Sequence, residues 1–307
     1  MRKPIIFAGC SFTWGQGLWS YCPTKQNVPT VDDYLSGHPI PHDAQKFREA
    51  NRFANIVSRH YENVEPIIKR HNGGTDEESI KFIDEVKRNH VNQHTLLTQN
   101  VEWNDVELCV FQTTQIYRSS FYFNHGGKDY RVFSEPNRRN FDRLEHIEYL
   151  KNPDGIVNTY EPNILKETKD FNIFYDWLID NKISVEDFQK IHCNTMFNKI
   201  KNKLKELEEK YNIPTLIISW TDEYLKEILN DEWASKRFVK INHNGKEYEC
   251  IEYLFEKNPE MVIAHDPSVL HKSGIDGHPS LVCHRHIATS IINKITTDKL
   301  LNGKRNI

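Results

Sequence analysis

Four short stretches carry residue types suited to breaking an acyl bond. The first is FAGCSFTWGQGL, residues 7–18, in which Ser11 follows Gly9 and Cys10 and precedes Gly15 and Gly17. A serine just past a strand end, in a glycine-flanked turn heading into a helix, projects its hydroxyl from the sheet edge. Its own N–H then faces a developing oxyanion. The second stretch lies near the other end, GIDGHPSLVCHRHIA, where Asp276 and His278 are separated by one residue and Pro279 follows. An imidazole held in a turn before a helix can take the serine proton, with a carboxylate to fix its tautomer and steady the imidazolium. The other two, HNGGTDEES and FQTTQIYR, close strands. Asn72, Gly73 and Gly74 let the backbone approach a substrate and present an N–H, while Gln112 or Thr114 can donate a further hydrogen bond. Each stretch also has an ordinary structural reading: a helix N-cap serine, a surface Asp-Gly turn with a solvated histidine, or a turn after a strand.

These residues need a scaffold that brings strand ends together. PIIFAG (4–9) is a short apolar run closed by glycine, the pattern of a strand buried on both faces. NRFANIVSRHY (51–61) spaces Phe53, Ile56 and Val57 as a helix does, and VEPIIKRHNGG (64–74) follows as a strand ending in glycine. A charged helical stretch over 75–90 and a third strand, DVELCVFQTT (105–114), come next. Residues 184–211 read as a long helix with Ser184 as N-cap, Glu186 or Asp187 in its first turn, and Phe188, Ile191, Phe197, Ile200, Leu204 and Leu207 near one face. IPTLIISW (213–220) is a fourth strand, DEYLKEIL a helix, and 239–253 a hairpin turning at Asn244-Gly245. EMVIAHD reads as a last short strand, and 279–295 as an amphipathic helix with Pro279 at its start. Strands alternating with helices predict an α/β layer architecture with a parallel sheet and right-handed crossovers, in which ligands collect at the strands' C-terminal ends. Residues 119–183 break the alternation and are expected to form an insertion, a lid or docking segment, within a single domain of 307 residues.

Composition narrows the function classes. Forty basic and 43 acidic residues are interspersed along the chain, giving a formal charge of -3. No basic patch for nucleic acid or an anionic membrane is visible. No stretch approaches the roughly 18 apolar residues of a membrane span, and the N-terminal apolar run is too short for a signal-peptide core. The six cysteines are scattered without a CxxC pair, so reduced thiols and a cytoplasmic location are the expectation.

The order of these pieces resembles the SGNH (GDSL-type) hydrolase superfamily. FAGCSFTWGQG is similar to its first block, with Ser11 at the nucleophile; RHNGGTDEESI to the second, with Gly74 at the oxyanion glycine; and DGHPSLVCHRHIA to the fifth, ending in His278. The resemblance implies a flavodoxin-like three-layer α/β/α sandwich, a Ser-His-Asp site of Ser11, His278 and Asp276, and hydrolysis of an ester or acetyl group without metal or organic cofactor. Three positions depart from the family pattern. Cys10 replaces an aspartate, QTTQ replaces Gly-x-Asn-Asp so that Thr114 falls where an oxyanion asparagine belongs, and Asp276-Gly277-His278 shortens the usual Asp-x-x-His. Asp266 is a second carboxylate that could orient the imidazole.

Other chemistries weigh less. Cys10 lacks a neighbour to lower its pKa and reads as a packing residue. His278, Cys283, His284 and His286 fit no standard zinc spacing, although His284 could line the site one turn into its helix. Trp14, Trp19, Tyr21, Trp103 and Trp220 could stack on a sugar, but aromatics near strand ends are by default core. NHGGK (124–128) lacks a P-loop frame, and Gly-Cys-Ser-Phe-Thr is not the Gly-x-Ser-x-Gly elbow of α/β-hydrolases. The expectation is therefore a serine esterase acting on a small-molecule or carbohydrate ester, alone or as an oligomer. The alternative is an SGNH-like scaffold that serves as a binding or structural subunit.

Overall fold

The computed structural model describes residues 3–23, 28, 39–68, 75–86, 90–91, 98–99, 101–116, 120–133, 173–174, 176–271 and 277–301. Its chain divides into two compact units, one of Met1–Thr114 with Lys199–Ile307 and one of Gln115–Asn198. Within the first unit, strands β1 (Lys3–Ala8), β2 (Val64–Ile68), β3 (Leu108–Thr113) and β4 (Thr215–Ser219) form one parallel sheet in the order β2-β1-β3-β4. The runs of β1, β3 and β4 are buried almost throughout, as apolar sequence without alternation requires. Pro66, which cannot donate to a ladder, sits in the edge strand β2. At the opposite edge, bridges from Ile217 to Phe238 and from Ser219 to Cys250 extend the sheet.

The helices that matter are α1 (Ser11–Trp14), α2 (His42–Asn51), α3 (Phe53–His60), α4 (Asp76–Val86), α5 (Val185–Tyr211) and α6 (Leu281–Thr297). Going from β1 to β2 and then back past β1 to β3 reverses the direction of travel across the sheet, so right-handed crossovers put α3 and α4 on opposite faces. Accordingly Ile5, Phe7, Leu108, Val110, Leu216 and Ile218 share a core with Phe53 and Val57 of α3 and Ile287 and Ile291 of α6. On the other face α4 packs against β1, and Lys203 of α5 pairs with Asp84 of α4 at 2.6 Å. This mixed α/β arrangement is compatible with a three-layer α/β/α sandwich.

Local signals explain several boundaries. Ser184 Oγ accepts from the Asp187 N–H at 3.0 Å and caps α5, as its sequence predicts. Thr75 and Glu78 form a reciprocal capping box ahead of α4. Ile241–His243 and Lys246–Tyr248 pair as the expected hairpin, with Asn244 and Gly245 both at positive φ as a type I′ turn demands. Three expectations are corrected. EMVIAHD is not a strand; Pro259–Met261 and Ile263–His265 are 3-10 turns, and only Val262 bridges, to Pro279. Pro279 therefore precedes α6, whose N-cap is Ser280, accepting from the Cys283 N–H. Ile191 is 44% exposed, although Phe188, Phe197, Ile200, Leu204 and Leu207 are buried.

The second unit holds an antiparallel hairpin, Ser120–His125 with Lys128–Phe133, turning at Gly126-Gly127. Phe123, Phe174, Leu178 and Phe188 form its apolar cluster, with Phe121, Tyr130 and Trp177 packed around it. Much of the 119–183 segment lies outside the described residues. Among the described residues no helix is long and apolar enough to cross a membrane.

Candidate active site

The sheet order reverses beside β1, so the C-terminal ends of β1 and β3 lie at the topological switch point, where parallel sheets usually place a binding site. β1 ends at Ala8, Gly9 makes the exit, and α1 begins at Ser11. The exit must be glycine, because a Cβ there would run into Thr13 Oγ1 and come within 2.9 Å of Gln112 Cβ. Gly15, at φ 79°, then stops α1 after a single turn. Ser11 is thus held on a short, tightly wound segment and is 2% exposed.

His278 meets it there, with Nε2 2.8 Å from Ser11 Oγ. Two backbone bonds fix the histidine's segment: the Ile263 N–H donates to the His278 carbonyl at 2.9 Å, and the Ser280 N–H to the Met261 carbonyl at 2.7 Å. The 3-10 turns that replace the expected strand are therefore the clamp for His278. Phe12 presents its ring to the imidazole edge-on at 5.3 Å between centroids, and Trp220 packs 4.1 Å behind Phe12. Asp266 is occupied elsewhere, accepting from Tyr21 Oη at 2.8 Å and from Ser268 N–H and Oγ–H. Asp276, Asn72, Gly73 and Gly74 lie outside the described residues.

At the end of β3 the two polar candidates part company. Gln112 is not free to serve a substrate: its Nε2 donates to Cys10 Sγ at 3.3 Å, and its Oε1 accepts from Thr13 Oγ1 at 2.5 Å. It braces the turn that carries Ser11. Thr114 donates its backbone N–H to Asp76 Oδ1 at 2.8 Å, while its hydroxyl, fully buried, has no hydrogen-bond partner among the described residues. Asp76 also accepts from Tyr224 Oη at 2.8 Å, pinning the end of β3 and the loop after β4 to the start of α4. In sequence Asp76 reads only as a first-turn acid, because nothing local announces that it is wholly buried.

The remaining candidates have structural positions. Cys10 is buried beside Gln112, and Trp14, Trp19, Tyr21, Trp103 and Trp220 are all buried. Burial pushes the Cys283 thiol up. His286 Nε2 lies 3.0 Å from His243 Nδ1, away from His278, and its pKa is lowered, first by burial and then by His243. No three His, Cys, Asp or Glu side chains among the described residues are grouped to hold a metal ion. His284 accepts from the Phe53 N–H through Nδ1 at 3.2 Å and stacks on the Phe53 ring. Its pKa is lowered to about 3, chiefly by burial and further by the neighbouring His278 and Arg52. Comparison of the chain with protein-family models, with curated proteins and with solved structures found no match.

Proposed function

We propose that the chain is a serine hydrolase of the SGNH type, cleaving an O-acyl or O-acetyl ester, with carbohydrate esters among its candidate substrates. One observation carries the reading: Ser11 Oγ and His278 Nε2 stand 2.8 Å apart at the C-terminal edge of a parallel sheet, although they are 267 positions apart in sequence. A sheet order of second, first, third, fourth is also the order of the flavodoxin-like fold that the resemblance implies.

Neutral His278, protonated on Nδ1, offers its Nε2 lone pair to the Ser11 hydroxyl proton. As Oγ bonds to the acyl carbon, that proton moves to Nε2 and the carbonyl π pair moves onto oxygen. The oxyanion is received by the Ser11 N–H and the Thr114 hydroxyl, with the Gly74 N–H assigned a share by the resemblance. Collapse of the adduct breaks the bond to the alcohol, which leaves with the proton from Nε2. Water then attacks the acyl-enzyme along the same path and releases the acid. Asp276 is assigned to hold the Nδ1 proton of His278. Gln112 keeps the turn rigid rather than touching substrate.

A second reading, a scaffold retained as a binding or structural subunit, is favoured by the burial of Ser11, only 2% exposed. There the Ser11–His278 contact would be a structural link. A fluorophosphonate probe and p-nitrophenyl acetate separate the two readings. The hydrolase reading expects Ser11-dependent labelling and ester cleavage that fall on the order of 10³-fold or more in Ser11→Ala and in His278→Ala. Absence of labelling and of cleavage across about pH 6 to 9 leaves the structural reading.

A further inference from the structure

Arg52 occupies the N-cap position of α3 without a side-chain capping bond and is only 4% exposed. A guanidinium taken out of water is ordinarily paired with a carboxylate, yet no ion pair to Arg52 forms among the described residues. Its Nε donates to Asn55 Oδ1 and its Nη1 to the Trp14 carbonyl at a long 3.5 Å. No described residue accepts from Nη2. Glu49, the carboxylate that acts on Arg52 among the described residues, is itself paired with Arg48 at 3.4 Å. Burial, reinforced by the like charge of Arg48, brings the Arg52 pKa down to about 9.

The place of this charge gives it a role. A Cβ on Gly15 would lie 2.9 Å from Arg52 Cβ, so Arg52 abuts the end of the single turn that begins at Ser11. One helical turn rises about 5 Å. The residue after Arg52 donates its N–H to His284 Nδ1, which leaves the His284 proton on Nε2. That Nε2–H is fully buried and has no acceptor among the described residues. Arg52, with Nη2 unused among the described residues, and the buried Nε2–H of His284 thus stand beside the Ser11 turn with donors left over. Holding the Trp14 carbonyl would need one N–H and no charge.

We propose that Arg52, assisted by the His284 Nε2–H, receives a carboxylate carried by the ester, so that the substrate class is a monoanionic ester such as the half-ester of a dicarboxylic acid. This deepens the hydrolase reading and rests on it for the role of Ser11. One guanidinium held largely out of water suits a single carboxylate.

Two p-nitrophenyl esters of similar length, the succinate half-ester and the neutral butyrate, test the assignment on the full-length chain. The kcat/KM ratio of succinate to butyrate should favour the anion by about ten- to hundred-fold, the worth of a charge-assisted hydrogen bond. It should collapse toward unity in Arg52→Met and fall partway in Arg52→Lys, which keeps the charge but not the fork. If Arg52 only supports the fold, both esters lose rate together and the ratio stays within about twofold of wild type, which overturns the proposal. A second arm needs no turnover: in Ser11→Ala protein, butyrate should raise the unfolding temperature, and Arg52→Met should abolish the rise. Absence of Ser11-dependent cleavage refutes the nucleophile, while the butyrate arm then decides Arg52 alone. Stronger stabilisation by inorganic phosphate than by butyrate overturns the carboxylate assignment. Should Arg52→Met fail to fold by circular dichroism, Arg52→Lys carries both arms.

Discussion

Replacing His284 by asparagine should flatten the acid side of the stability profile. In the folded chain His284 is enclosed between α6 and the start of α3, and its Nδ1 accepts the Phe53 N–H, so the imidazole must stay neutral there. Its folded pKa of about 3 lies well below the roughly 6.5 of an unfolded histidine. The unfolded chain therefore binds a proton first as the pH drops. The stability held above about pH 6.5 is lost progressively as pH falls toward 3, at about 1.4 kcal/mol per pH unit for one proton. Between pH 6.5 and 5, before carboxylates dominate, this group alone removes about 2 kcal/mol. His286, whose pKa is also lowered, acts in the same sense but is common to both proteins. Asparagine keeps an oxygen for the Phe53 N–H and does not titrate. Urea unfolding at several pH values in that window, followed by far-UV circular dichroism, should show the wild type losing about 2 kcal/mol more than His284→Asn. Equal slopes would refute the claim that His284 is held neutral by burial.

Two further perturbations address the turn and its support. Gly9→Ala forces a Cβ against Thr13 and Gln112; a loss of about 1–3 kcal/mol in urea unfolding is expected, with weaker probe labelling of Ser11, and an unchanged midpoint would contradict the close approach. Asp76→Asn removes the charge from two buried hydrogen bonds and turns an amide toward one of the donors; about 1.5–3 kcal/mol should be lost by the same assay, and a change below about 0.5 kcal/mol would show that the carboxylate is not the pin between the strand ends.

The position of the clamp explains why so distant a histidine can be held accurately. The serine is on one helical turn braced by Gln112 and Thr13, and the histidine is stitched by backbone bonds to Met261 and Ile263. On the proposed hydrolase reading, groups held by rigid neighbours lose less freedom on forming the reactive geometry.

Much of the scaffold was legible in the residues themselves. Short apolar runs closed by a turn suit buried strands, and all four formed one parallel sheet. Ser184 and Asp187 announce the start of α5, and Asn244-Gly245 the hairpin, because capping and positive φ are local matters of backbone chemistry. The candidacy of Ser11 and His278 also came from local pattern, a polar residue where a strand ends. Their 2.8 Å meeting did not, because no local rule relates residues 267 positions apart. Burial was equally a tertiary decision. Arg52 and Asp76 look like solvated helix-end charges in sequence and are enclosed only because other segments fold over them. Ile191, on the right period, stays exposed, since periodicity sets a face but only a neighbour can cover it. EMVIAHD became two tight turns for the same kind of reason: an apolar run of that length suits strand or turn, and the need to bond His278 and Ser280 chose between them.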